Sequence, residues 1–332
     1  MKIILHIGTE KTGTTAIQSY LHRNRNELLK NKIVPGCSVD RIFGRNHFAL
    51  ALASSASPGP GLLKYRNDEF RDYRQKVQNI LDARLSGLDK DHIVVFSAEH
   101  LSSRLVTIEE ITYLKSLFTN EVEFKIVCYL RPQHELLLGA QAESIKAGHS
   151  NLEFNDPRLT GPHHRYGSIY YDYDRMLGLW EDVFGLNSMF VTAYEKGEIV
   201  GSDVVVDFVA RNLEARIPPE LVAVEPDVNK RLSGEALFVL ATLNSLQGSN
   251  PKENLKIVRE FDDGKHNVLI EAARLQDFFN SFERENDKVA KRYMGRGKLF
   301  RRLNFEYEHY DFNNQSLILR SLAKYIRRSN RN

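Results

Sequence analysis

The sequence predicts an α/β protein of the P-loop type: a central parallel sheet flanked by helices, with a mostly helical carboxyl-terminal extension. Two observations predict it. Short apolar runs at 3–7, 93–96, 124–130 and 189–193 alternate with stretches of helical periodicity. Strands interleaved with helices imply a parallel sheet covered on both faces. The first run enters a loop holding Gly8, Lys11, Gly13, Thr14 and Thr15, and a helical pattern follows with Ile17, Tyr20, Leu21 and Leu28 on one stripe.

The elements follow in order. Strand 3–7, the loop and a helix over 13–31 form a strand–loop–helix unit. A helix entered this way turns its unpaired N–H groups and the positive end of its dipole toward the loop, which suits an oxyanion, phosphate or sulfate. Segment 54–63, with Pro58, Gly59, Pro60 and Gly61, is a loop by composition. A helix over 68–86 leads to strand 93–96, which ends in Ser97-Ala98-Glu99-His100. Thr107 and Glu110 have capping-box spacing at the start of a helix over 108–118. Strand 124–130 ends in Arg131, and Pro132 suits the first turn of a helix over 133–147. A loop over 148–168, a helix over 172–183, strand 189–193 and a helix over 202–213 complete a core assigned to 1–215. Beyond about 228 the strand signal disappears, and helical patterns fill 232–247, 266–291 and 314–328. This places a helical extension at 216–332, packed on the core as one functional unit. The loop, 97–100 and Arg131 all fall at strand carboxyl ends, where parallel sheets bind ligands.

Composition narrows the partners. The 332 residues carry 46 Lys and Arg against 43 Asp and Glu, a net charge of +3. That balance does not describe a dedicated nucleic-acid binder. Cys37 and Cys128 imply neither a disulfide framework nor a cysteine metal site. Adjacent His163 and His164 lack a ligand partner at helical spacing, so no metal is expected. No segment reads as a signal peptide or a membrane span, which predicts a soluble cytoplasmic protein. The basic end (Arg320, Lys324, Arg327, Arg328, Arg331) is a solvated tail or a point of peripheral contact with an anionic surface. The oligomeric state is not legible.

The loop departs from the nucleoside-triphosphate pattern GxxxxGK[ST] in one respect. Gly8 and Gly13 keep the spacing and Thr15 occupies the Ser/Thr place, but Thr14 stands where the lysine belongs. Lys11 lies inside the loop instead. The stretch Lys11-Thr12-Gly13-Thr14-Thr15 resembles the 5′-phosphosulfate loop of sulfotransferases that use 3′-phosphoadenosine 5′-phosphosulfate (PAPS). The run from Phe124 to Pro132 is similar to that family's strand ending in the arginine that binds the 3′-phosphate. The pattern from Tyr171 to Glu195 is a looser match. The resemblance covers roughly the first two-thirds of the chain.

The resemblance implies sulfuryl transfer from PAPS to a hydroxyl of a sugar, glycan or glycolipid. A small-molecule kinase or NTPase, and a non-catalytic nucleotide-binding module, are the alternatives. In-line transfer needs a cation near the leaving oxygen, a base for the acceptor proton and donors for the nucleotide. Lys11 takes the first role, with Thr12, Gly13, Thr14 and Thr15 at the anion. The base is open among His47 (in Asn46-His47-Phe48), Glu99 and His100. Arg131 offers a planar fork to the 3′-phosphate. The family's serine eight residues later is Gly139 here, which removes a hydroxyl donor. The segment from Lys291 to Lys298 resembles a basic stretch that closes over the nucleotide. Tyr166, Tyr170, Tyr171 and Tyr173 either stack on sugar rings or fill seams between elements.

Overall fold

The computed structural model describes residues 1–36, 48–57, 63, 69–118, 122–153, 156, 164–213, 231–246, 250–262, 264 and 267–313. Cys37, His47, His163 and the helix expected over 314–328 lie outside these residues.

Along the chain run β1 (Lys2–Gly8), α1 (Thr14–Arg23), α2 (Arg25–Lys30), β2 (Ile33–Pro35), α3 (Phe48–Ser54), α4 (Phe70–Leu85) and β3 (Ile93–Ser97). Next come α5 (His100–Arg104), α6 (Ile108–Ser116), β4 (Glu123–Leu130), α7 (Gln133–Lys146), α8 (His164–Tyr170), α9 (Tyr173–Phe184) and β5 (Met189–Ala193). The remainder is α10 (Val204–Asn212), α11 (Gly234–Asn244), α12 (Pro251–Phe261), β6 (Asn267–Val268), α13 (Ala272–Asn280), α14 (Glu283–Met294) and β7 (Glu308–His309).

The fold is α/β, with a five-stranded parallel sheet in the order β2-β3-β1-β4-β5. β1 lies at its centre. Ile3, Ile4, Leu5 and Ile7 are fully buried, as a strand covered on both faces requires. On one face, Ile17 and Leu21 of α1 and Val205, Phe208 and Val209 of α10 share a core with Ile4, Val95, Val127 and Tyr129 of the sheet. That core also holds a polar network. Asp207, fully buried, accepts from the Tyr129 hydroxyl (2.8 Å), the Val200 N–H (2.8 Å) and Arg211 Nε (2.7 Å). Three donors satisfy a carboxylate that would otherwise be costly to bury.

The chain divides into two compact units. The first comprises Met1–Arg131, Pro157–Val224 and Arg284–Arg302; the second comprises Pro132–Asp156, Glu225–Glu283 and Leu303–Asn332. The second unit is built around α11, whose Ala236, Leu237, Phe238, Val239 and Leu240 form a core with Ile145, Val258, Leu269 and Tyr310. In the same unit His134 is fully buried beside Phe279 and Phe305, its Nε2 against the Asn304 carbonyl at 3.2 Å.

Four strands and most helices fall where the sequence puts them, and the differences have local causes. The expected helix over 13–31 breaks at Asn24, whose backbone N–H and side-chain amide both return to the Tyr20 carbonyl at 3.0 Å. β2 is an unanticipated edge strand of three residues. α8 occupies the end of the expected 148–168 loop. The single helix expected over 266–291 is instead β6, α13 and α14, and β6 pairs in parallel with β7. α12 starts at Pro251, capped by Asn250, whose side chain accepts from the Lys252 N–H at 3.1 Å. Thr107 caps α6 through the Glu110 N–H (3.3 Å), while the Glu110 carboxylate accepts from Val106 and Ala56 N–H, both at 2.9 Å. The second half of the capping box is therefore displaced by one residue and shared with the end of α3.

Candidate functional site

The loop between β1 and α1 lies at the carboxyl end of the central strand. Its conformation follows from two left-handed residues, Lys11 (φ 64°) and Gly13 (φ 79°). Gly13 is the N-cap of α1 and brings no side-chain cap to the helix. It is needed for a second reason: a Cβ there would stand 2.6 Å from Val204 Cγ1. Loop and helix start are thus pressed against α10.

Hydroxyls hold the loop from inside. Thr12 Oγ1 donates to the Thr9 carbonyl at 2.6 Å, and Thr14 Oγ1 points to the same oxygen at 3.4 Å. Both threonines are buried, whereas Thr15 is exposed. The place of an NTPase lysine is therefore filled by a buried threonine turned into the loop. Thr9 N–H and hydroxyl both donate to the Tyr129 carbonyl on β4, at 2.8 and 3.1 Å.

Other contacts pin the loop from outside. Arg131 Nη1 donates to the Lys11 carbonyl at 2.7 Å. The Tyr173 hydroxyl donates to the Arg131 carbonyl at 2.5 Å. The Glu10 N–H donates to the Tyr170 hydroxyl at 2.8 Å. Tyr170, Tyr171 and Tyr173 are all buried, so these three fill seams and brace the loop instead of presenting open ring faces. Burial first, and the Glu10 carboxylate second, push the Tyr170 phenol well above its ordinary range, so it stays neutral.

Glu99 approaches from the end of β3. Gly8 (φ 106°) permits this: a Cβ there would lie 3.0 Å from Glu99 Cα and 3.2 Å from Ser102 Oγ. The Glu99 carboxylate accepts from Gln18 Nε2 at 2.9 Å. His100 begins α5, with its ring edge-on to Phe48 at 4.9 Å. Its Nδ1 is buried with no protein partner among the described residues. Burial lowers the His100 pKa below its ordinary value, against the opposing pull of the Glu99 and Glu10 carboxylates; Arg104 lowers it further.

Lys11, Thr12, Gly13, Thr14, Thr15, Glu99, His100 and Arg131 therefore belong to one edge of the first unit. Gly139 is a half-buried residue in the middle of α7, in the second unit. The basic stretch from the last turn of α14 onward lies in the first unit and is paired with carboxylates. Arg292 and Tyr293 bind Glu181, Arg296 Nη1 stands 2.7 Å from Glu198, and Arg301 and Arg302 N–H donate to Glu195 at 2.9–3.1 Å. Among the described residues no group of three or more His, Cys, Asp or Glu could hold a metal, and no helix is long and apolar enough to cross a membrane.

Gln18, Glu10 and the pairing of Glu10 with Tyr170 escaped the sequence reading. The only signal for Gln18 is a polar side chain next to Ile17 on the buried stripe of α1. Glu10 and Tyr170 are 160 residues apart and carry no pattern.

No family model and no curated protein matches the sequence. Among solved structures, the "Crystal Structure of Sulfotransferase from Alicyclobacillus acidocaldarius" aligns over 68% of this chain and 87% of its own, at 16% identity and a TM-score of 0.43.

Proposed function

We propose that this chain is a PAPS-dependent sulfotransferase acting on a hydroxyl acceptor, with a sugar or glycan hydroxyl as the acceptor class. The observation that carries the reading is the juxtaposition of Glu99, Lys11 and Arg131 around one uncapped helix start. The donor set fits an adenosine phosphosulfate. α1 begins without a side-chain cap, so the N–H groups at its start suit an anion. Lys11 and the exposed Thr15 flank that start, and Arg131 is tied to the loop through the Lys11 carbonyl. The lysine that a nucleoside triphosphate would need is replaced by buried Thr14, which weighs against a kinase.

PAPS, when bound, supplies the sulfuryl group and a phosphate leaving oxygen. Loop N–H groups from Thr12 to Thr15 hold its 5′ end, and Lys11 counters the charge that grows on the leaving oxygen. Arg131 binds the 3′-phosphate in addition to bracing the loop. Glu99 takes the proton of the acceptor hydroxyl. It is preferred to His100, whose ring is packed edge-on against Phe48 and whose affinity for a proton is lowered by burial. His47 lies outside the described residues.

The test compares thermal stabilisation by adenosine 3′,5′-bisphosphate (PAP) and by ATP with Mg²⁺. A ligand at about a hundred times its dissociation constant adds about 2.7 kcal/mol. Stabilisation by PAP without a divalent ion is expected, and a response to ATP–Mg²⁺ alone would contradict the reading.

A further inference from the structure

Gln18 is 2% exposed, on the second turn of α1. A buried primary amide is costly unless its donors are partnered. Here Nε2 donates to the Ser97 carbonyl at 3.0 Å and to Glu99 Oε2 at 2.9 Å. A backbone carbonyl and a carboxylate are both acceptors, so the orientation of the amide is fixed by its partners. Both hydrogens of one NH₂ group are thereby spent on the end of β3.

The carboxylate is thus held from two directions. Gly8, at the head of the loop, sets how close the Glu99 backbone comes. Gln18, on the helix that the loop enters, sets where the carboxylate points. We propose that Gln18 is a positioning residue for Glu99, fixing the aim of the base relative to the anion loop. The inference rests on the reading of Glu99 as the base. Without the amide, the carboxylate would be free to turn toward solvent, and only the chemical step would suffer. The anion loop does not use the Gln18 side chain, so nucleotide affinity should be untouched.

The experiment is a double-mutant cycle on the full chain with Gln18→Met, Glu99→Gln and the double variant. The readout is sulfate released from PAPS to water, and sulfuryl transfer to a panel of mono- and oligosaccharides. PAP affinity and melting temperature are measured alongside. A general base contributes roughly 10²–10⁴-fold, so a misdirected one should cost about tenfold or more in kcat. The expected result for Gln18→Met is that loss, with KM for PAPS and PAP affinity within about twofold of the parent. In the Glu99→Gln background the same substitution should cost nothing further. A loss that persists in full without Glu99 overturns the inference while leaving the sulfotransferase reading intact. Full turnover in Glu99→Gln alone, or no sulfuryl release by the parent to water or any acceptor, overturns the base assignment and the inference with it. Should Gln18→Met fail to fold, Gln18→Leu removes the donor with a smaller apolar side chain, and the same non-additivity is expected.

Discussion

Gly13 offers the sharpest perturbation, because its requirement is steric and conformational at once. Replacing it with alanine places a methyl 2.6 Å from Val204 Cγ1 and 3.4 Å from Val204 Cβ. It also puts an L side chain at φ 79°, a left-handed conformation that costs about 1–2 kcal/mol. Overpacking a buried contact adds about 1–3 kcal/mol. The lost freedom of the unfolded chain returns about 0.4–1 kcal/mol. The net expectation for Gly13→Ala is a destabilisation of about 3 kcal/mol. Trp180, the sole tryptophan and fully buried in the first unit, reports urea unfolding of that unit by fluorescence. Val204→Ala removes the atom that would clash. In that background Gly13→Ala should cost only the conformational part, about 1 kcal/mol, giving a coupling of about 2 kcal/mol between the two sites. A cost below about 0.5 kcal/mol, or the same cost in both backgrounds, would refute the reasoning, since the contact with α10 would then not fix the loop.

Three further outcomes follow from the same geometry. His6 is fully buried, its Nδ1 against Ser97 Oγ at 2.8 Å, and burial lowers its pKa to about 3. The unfolded chain takes up a proton near pH 6.5, which the folded chain refuses until about pH 3. Stability is therefore full above pH 6.5 and should fall by about 2.5 kcal/mol between pH 6 and 4; an equal fall in His6→Gln would sink this attribution. Asp207→Ala leaves the Tyr129 hydroxyl, Val200 N–H and Arg211 without their acceptor and should cost about 3–5 kcal/mol in urea unfolding, whereas a cost under 1 kcal/mol would contradict it. Gly8→Ala forces Glu99 away from the loop and should lower sulfuryl turnover more than PAP affinity; equal losses in both would show that Gly8 serves the nucleotide alone.

Much of this was legible in the sequence, for physical reasons that differ by element. β1, β3 and the second half of β4 are apolar runs because both of their faces are buried, and such runs announce themselves; β5, at the sheet edge, is apolar enough to show although Phe190 is exposed. The strand–loop–helix signature needed only local spacing. β2 was not legible, because three residues ending in a proline carry too little pattern and its assignment depends on pairing with β3. The break at Asn24 is decided by one side chain returning to the turn before it. β6 is two residues long and exists only through β7, about forty residues away. In the site, Lys11 and Arg131 could be named from their positions, but the bond between Arg131 and the Lys11 carbonyl could not. The hydroxyls of Thr12 and Thr14, which composition offers as anion donors, turn inward to Thr9. Gln18 is the instructive omission: a polar residue on an apolar stripe has meaning only when its two acceptors, some eighty residues away, are in view.

The central claim is that this loop grips the 5′ end of an adenosine phosphosulfate, and a crystal structure with PAP tests it most directly. The account predicts the 5′-phosphate at the start of α1, against the N–H groups from Thr12 to Thr15 and the Lys11 ammonium, with the Glu99 carboxylate facing the sulfuryl position. A nucleotide bound elsewhere on the first unit, with the loop contacting no phosphate, would contradict it.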